Sequence, residues 1–404
     1  MKLSASLFAL LLFLPVVLPA LLTPLVWATE DSWTTVEPMP TLRENFELVA
    51  MDRKIYAIGG SNSSQQVYYG TNEEYDLASD TWVTKEPMPT PRSGFGTFVF
   101  QDKIYCICGY SKEESYLGVN EVYDPIMDIW ETKASLPTNR SGMQTKMVDG
   151  KIYVLGGAIG YNYEKSETIY SQVNEAYNPV TDSWERKTSI PVNGEFTAHV
   201  FGDHIYCIFK DSIWVYDTTD DSWTQKFTMP IPAAYSYYTV AIENSIYFLV
   251  PSEGGYNQIY NVKNDVWIFG KNLPIELNQP NIVATTGKFA PRRIYVVGGF
   301  TGFVDPTDTT YVYNPEEDDW NLGASMGVSR YNIHLIVVDD ILYAVGGAIG
   351  FLVKPVSVTA TVEKYIPSGY IPEFPSGILL VVGVSVVVML SIFFRLDFKL
   401  GRKK

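Results

Sequence analysis

The sequence has only three histidines and three cysteines in 404 residues. Histidine is the commonest general base and metal ligand, so catalysis built on clustered imidazoles has little material here. His199, His204 and His334 are also scattered along the chain. Cys106, Cys108 and Cys207 form an odd set with two members only a residue apart, which is no disulfide framework. All three stand in apolar strand-like segments and read as small buried hydrophobes; a metal site at Cys106 and Cys108 lacks further ligands nearby. No metal and no cofactor are expected. Basic residues are the other shortage: 30 Lys and Arg face 45 Asp and Glu, for a formal net charge of −15. A field of that sign repels phosphate backbones, so nucleic acid is excluded as a partner class.

What the chain has in quantity is aromatic residues, 14% of the total with 28 Tyr and 9 Trp. Such a chain can bury enough apolar surface to offset its conformational entropy. Both ends are set apart. Residues 1–28 carry Lys2, a long apolar run and a small residue at Ala28, the pattern of a secretory signal peptide, with an uncleaved anchor as the alternative. Residues 378–394 are free of charge and long enough to cross a hydrocarbon core. The segment 395–404 that follows is basic, which places it on the cytoplasmic side. Residues 368–377 are a Pro/Gly-rich linker. The expected topology is a single-pass cell-membrane protein with residues 29–367 extracytoplasmic and the C-terminus cytoplasmic.

Between these ends the chain repeats itself. KIYAIGG at 54–60 returns as KIYCICG (103–109), KIYVLGG (151–157), HIYCIFK (204–210), SIYFLVP (245–251), RIYVVGG (293–299) and ILYAVGG (341–347), at a period of about 48 residues. A second phrase follows each of the first six copies: YDLASDTW, YDPIMDIW, YNPVTDSW, YDTTDDSW, YNVKNDVW and YNPEEDDW, with one constant Tyr-to-Trp spacing. Its turn formers between two aromatics make it a hairpin. A Pro-containing turn such as EPMPTPR closes most units. Each unit therefore supplies four short strands, and copies must stack radially to bury both sheet faces. The seventh copy lacks its Trp strand, and DSWTTVEPMPTLR (31–43) supplies it from the other terminus. Trp33, Trp82, Trp130, Trp184, Trp223, Trp267 and Trp320 then serve one blade each.

An apolar strand ending in Gly-Gly, then a Tyr, then a Trp, at this period resembles the kelch-repeat family of β-propellers. The resemblance covers about 31–367 and implies an all-β, seven-bladed propeller whose last blade is closed by the N-terminal strand. Cys108-Gly109, Phe209-Lys210 and Val250-Pro251 depart from Gly-Gly, so blades 2, 4 and 5 are expected to leave the second strand differently. The C-terminal Pro-Glu-Phe at 372–374 resembles the sorting tails of archaeal surface proteins, although a retained span is the default.

Gly59, Gly60, Gly156, Gly157, Gly298, Gly299, Gly346 and Gly347 follow strands but lead into no helical pattern or P-loop lysine, so they read as steric rather than phosphate-binding. Arg43, Arg92, Arg140 and Arg330 open the innermost strands of blades 1, 2, 3 and 7. They could line one mouth of the channel as an anion-binding arc. Glu73, Glu121, Glu175 and Glu363 appear in the same four blades and are replaced by Trp214, Gln258 and Tyr311 in blades 4, 5 and 6. This joint appearance favours an Arg–Glu pair within each blade, without excluding the arc. The variable loops after the second strands carry Tyr110, Tyr116, Tyr161, Tyr163, Phe303 and Phe351, aromatic candidates for a binding face. Asn62 and Asn139 open glycosylation sequons. No catalytic residues are assigned. The resulting expectation is a membrane-anchored module that binds a protein or a glycan through its loop-rich face, with a carbohydrate-active enzyme as the alternative.

Overall fold

The computed structural model describes residues 29–371 except 64, 234–236, 252–253, 303–305 and 351–356. The segments read above as a signal peptide, a membrane span and a basic tail, the Pro-Glu-Phe motif, Phe303 and Phe351 lie outside the described residues. Within them no helix is long and apolar enough to cross a membrane.

Seven antiparallel four-stranded sheets form the blades. Blade 1 runs Glu47–Met51, Lys54–Ile58, Asn72–Asp76 and Thr81–Lys85 from channel to rim. Blades 2 to 6 occupy 96–133, 144–187, 197–228, 238–270 and 281–322. Blade 7 takes His334–Val338, Ile341–Val345 and Val362–Ile366 from the C-terminal side, and Ser32–Val36 from the N-terminal side as its outer strand. Trp33 stands opposite Tyr365 in that pairing. This joins the two ends of the propeller by backbone hydrogen bonds and leaves no open sheet edge at the seam.

The core is seven separate interfaces rather than one mass, because strand residues alternate between the two faces of each blade. In blade 1, Ile55 and Ala57 pack against blade 7 with Tyr343 and Val345. Tyr56 and Ile58 face blade 2 with Ile104 and Cys106. The third-strand tyrosines are buried at each interface. The hydroxyls of Tyr75, Tyr123, Tyr177, Tyr216 and Tyr313 donate at 2.6–2.7 Å to Asp80, Asp128, Asp182, Asp221 and Asp318 in the hairpin turn. Each turn aspartate also reaches the preceding blade: Asp182 accepts the amide of Ala134 at 2.8 Å and Asp221 that of Thr188 at 2.8 Å. The tryptophan beside it completes the joint, with Trp184 Nε1 donating to the carbonyl of Ala134 at 2.7 Å. At the ring closure Tyr365 bonds Asp31 across the two termini. The repeated Tyr-to-Trp phrase is therefore a blade-to-blade clasp.

Candidate functional site

The four arginines are fully buried, each at 0% exposure. Arg43 donates from Nε to the carbonyl of Gly59 (2.9 Å) and from Nη2 to that of Ala57 (2.7 Å). Its Nη1 serves the carbonyl of Thr41 and the carboxylate of Glu73. Glu73 in turn accepts the Thr41 hydroxyl at 2.6 Å. The ion pair and its threonine recur as Arg92–Glu121 with Thr90, and as Arg140–Glu175 (2.5 Å) with Thr138, although Nε of Arg92 and of Arg140 has no hydrogen-bond partner among the described residues. In blade 7, Arg330 pairs with Glu363 at 2.5 Å, and Gly327 N–H replaces the threonine hydroxyl. Burial lowers the Arg43 and Arg330 guanidinium pKa values, and the paired carboxylates oppose that shift. These pairs pin the segment entering each blade to its second and third strands. The geometry corrects the anion-binding arc: enclosed guanidinium groups that donate within their own blade present no cation at the mouth.

The glycines sit where a close approach requires them. Gly59 and Gly60 have φ of +64° and +103°, and a Cβ on Gly59 would lie 2.6 Å from the Phe95 ring of the next blade. Gly156 meets Phe196 in the same way at 2.6 Å. Blade 2 corrects the expectation of a different exit. Cys108 and Gly109 adopt φ of 65° and 120°, the same left-handed pair. The following blade brings Met143 to that contact rather than a phenylalanine, which leaves room for the thiol. Burial pushes the thiols of Cys106 and Cys108 up to about 12, so they are inert side chains of the core.

The loop-rich face lies at the end of the second strands. In blades 1, 2, 3 and 7 short hairpins rise from it, with Ser61 opposite Tyr68, Ser111 opposite Ser115, Ala158 opposite Tyr170 and Ala348 opposite Val358. Bridges from the entry segments, such as Ser93 with Tyr110 and Ser141 with Ala158, hold these hairpins down. Tyr110 touches Tyr68 (ring centroids 5.9 Å apart) and Tyr116 (5.4 Å), while Tyr161 and Tyr163 pack edge to face at 5.0 Å. Tyr163 is 86% exposed and Tyr161 45%. Four of the six aromatic candidates therefore pack in two groups, Tyr110 and Tyr116 with Tyr68, and Tyr161 with Tyr163. Of the sequons, Asn139 is exposed. Asn62 is buried, its Oδ1 accepting the amide of Gln65 at 3.1 Å, so the folded hairpin does not present it for glycosylation.

The histidines do not converge. His199 bonds Thr239 at 2.8 Å, His334 stacks on Phe46 at 4.0 Å, and His204 lies 3.4 Å from Asp217. Burial holds His199 and His334 down at about 4. Among the described residues no cluster of His, Cys, Asp or Glu could hold a metal ion.

One site escaped the sequence reading. Over blade 4 lies a cleft of about 810 Å³ whose walls include Trp214, Tyr237, Phe209 and Pro230. Trp214 occupies the place taken by glutamate in the pinned blades, opposite Cys207 and Gln225. The missing Arg–Glu pair in blade 4 was legible; that its absence opens a cleft was not.

Comparison with known proteins agrees with this architecture. The model of the Kelch motif matches residues 42–89, 91–137, 140–191 and 290–327. Kelch-like protein 23 of Homo sapiens is 24% identical over 192 residues, 42% of this chain and 33% of that protein. Kelch-like protein 35 of Mus musculus is 25% identical over 184 residues, 43% of this chain and 31% of that protein. The chain thus aligns with about a third of the length of these relatives. Among solved structures, a fungal alcohol oxidase of the AA5 family in complex with copper superposes with a TM-score of 0.65 at 15% identity, covering 85% of this chain and 79% of the other. At that identity the likeness concerns the fold alone. The chain is a seven-bladed β-propeller, four segments of which match the Kelch motif.

Proposed function

We propose that this protein is a membrane-tethered, extracytoplasmic binding module whose tyrosine-bearing hairpins dock a macromolecular partner, a protein or a glycan. Kelch propellers generally mediate protein interactions. The observation that carries the reading is the tyrosines of blades 1 to 3, half-buried at Tyr68, Tyr110 and Tyr116 and exposed at Tyr161 and Tyr163, set on hairpins that the scaffold bridges down. Tyrosine offers apolar area with a polar tip and few rotors to immobilise, which is why it is enriched in binding interfaces. The apolar segments at 2–28 and 378–394 support the tethered, exported placement.

The test has two parts. Protease added to intact cells should degrade the propeller, and survival of the propeller until lysis would refute the placement. Partners captured by crosslinking to the wild-type chain should be lost in a Tyr161→Ser/Tyr163→Ser variant, by about tenfold or more if these residues are hot spots. Equal capture by wild type and variant would refute the tyrosine face. No observation among the described residues favours the carbohydrate-active enzyme.

A further inference from the structure

The cleft over blade 4 is a second candidate site, separate from the tyrosine hairpins. It lies between the segment entering blade 4, at 192–195, and the turn entering blade 5, at 229–232. In the pinned blades that space is closed by an arginine and a glutamate. Blade 4 has Asn193 three residues before Phe196, where blade 1 has Arg43 three before Phe46, and Trp214 where blade 1 has Glu73. The second-strand exit is Phe209-Lys210, and no entry-segment bridge forms there among the described residues. Tyr237 reaches across from blade 5, its hydroxyl donating to the carbonyl of Ile208 at 2.9 Å. Tyr237 is therefore held in place, and the polar residues that line the same cleft are exposed: Asn193, Glu195, Asp211 and Gln225.

We propose that this cleft binds a neutral saccharide. Sugars present apolar C–H faces that lie on aromatic rings, and hydroxyl edges that pair with amides and carboxylates; this cleft offers both kinds of wall. Its volume suits a small ligand rather than a flat protein surface. Glu195 and Asp211 outnumber Lys210, which disfavours uronic, sialic or phosphorylated sugars.

Linear tetrasaccharides of glucose, mannose, galactose and N-acetylglucosamine, titrated against the full chain in detergent by saturation-transfer NMR, test this. At least one should bind. Asp211→Asn and Gln225→Ala, both at exposed positions, should each weaken it about fivefold with an unchanged unfolding transition, the scale of one lost hydrogen bond. Trp214→Ala should weaken it further, and Tyr161→Ser/Tyr163→Ser should leave it intact, which separates this site from the proposed docking face. Three results would overturn the proposal: no binding by any tetrasaccharide, binding indifferent to Asp211→Asn and Gln225→Ala, or occupation of the cleft by a proline-rich decapeptide while the sugars fail.

Discussion

Blades 7, 1, 2 and 3 form one arc of the ring and blades 4 and 5 belong to another, although all share a sheet topology and the Tyr–Asp contact. The difference lies in how each entry segment is held. In the first arc a buried guanidinium and carboxylate do it. In blade 5 the same place holds Gln258, whose amide accepts from Ile231 N–H at 2.8 Å and donates to the Ile231 carbonyl at 2.7 Å. A neutral amide can satisfy a backbone pair by itself, so no arginine is needed. In blade 4 the place holds Trp214, which has no hydrogen-bonding partner, and the cleft opens. One position thus has three solutions, ionic, amide and aromatic, and in blade 4 the aromatic one borders a cleft.

Exchanging the solutions should break the comparison most sharply. Glu175→Gln strands Arg140 as a buried unpaired charge and should cost about 3–5 kcal/mol in denaturant unfolding. The reciprocal Gln258→Glu sets a carboxylate against the Ile231 carbonyl and should cost about 2–3 kcal/mol. A smaller loss for Glu175→Gln than for Gln258→Glu would show that the ionic pin matters less than the amide one. Gly59→Ala comes next. Its Cβ would meet the Phe95 ring at 2.6 Å and the Arg92 carbonyl at 2.8 Å, from a φ that alanine disfavours. A loss of about 2 kcal/mol is expected, whereas Lys210→Ala, at an exposed place in blade 4, should be neutral.

The parts that recur in the sequence were the legible parts. Seven spaced copies of the IY phrase and the matching Trp strand at 31–36 define blades and closure, because each repeat states the same local physics again. The Arg–Glu pairing was visible because Arg43 and Glu73 have counterparts that come and go together. Burial of the arginines was not visible, since spacing cannot say whether a guanidinium turns outward or back onto the carbonyls of Ala57 and Gly59. The left-handed Cys108 was missed for a related reason: what permits it is Met143, from the next blade. The cleft depends on several chain segments closing, or failing to close, around Trp214.

The channel rim offers a pH test. Glu47, on the innermost strand of blade 1, has no ion pair among the described residues, and burial pushes its carboxyl up to about 8. Because the folded pKa is raised above the unfolded value, the stability it lends is complete below about pH 4.5 and is lost as pH rises through 8. Glu47→Gln should therefore leave stability unchanged at pH 4 and raise it at pH 8 by somewhat over ~1 kcal/mol, a value reduced because the side chain is only half-buried. Thr197, the corresponding residue of blade 4, carries no charge, and Thr197→Ala should show no such pH dependence. Equal effects of Glu47→Gln at the two pH values would place its carboxylate in water.

The smallest expected effect concerns the clasp. Trp184 Nε1 donates to Ala134 O at 2.7 Å, whereas Trp267 Nε1 in blade 5 is buried without a partner. Its aspartate differs too: Asp265 takes the ammonium of Lys226 at 3.2 Å, where Asp221 takes a backbone amide from the preceding blade. The joint between blades 4 and 5 thus keeps the Tyr–Asp contact and loses the indole bond. Phenylalanine removes the donor and part of the ring at both positions, so the loss of packing is shared and the difference between the two variants reports the hydrogen bond. Trp184→Phe should be more destabilising than Trp267→Phe by about 1 kcal/mol, the usual net value of such a bond. The difference should be larger in hydrogen exchange of the flanking amides, because local opening at a joint needs less free energy than unfolding the ring. If Trp267→Phe proved as costly as Trp184→Phe, the joint beside the cleft would be as well clasped as the others, and the distinction between the two arcs would reduce to the entry pins alone.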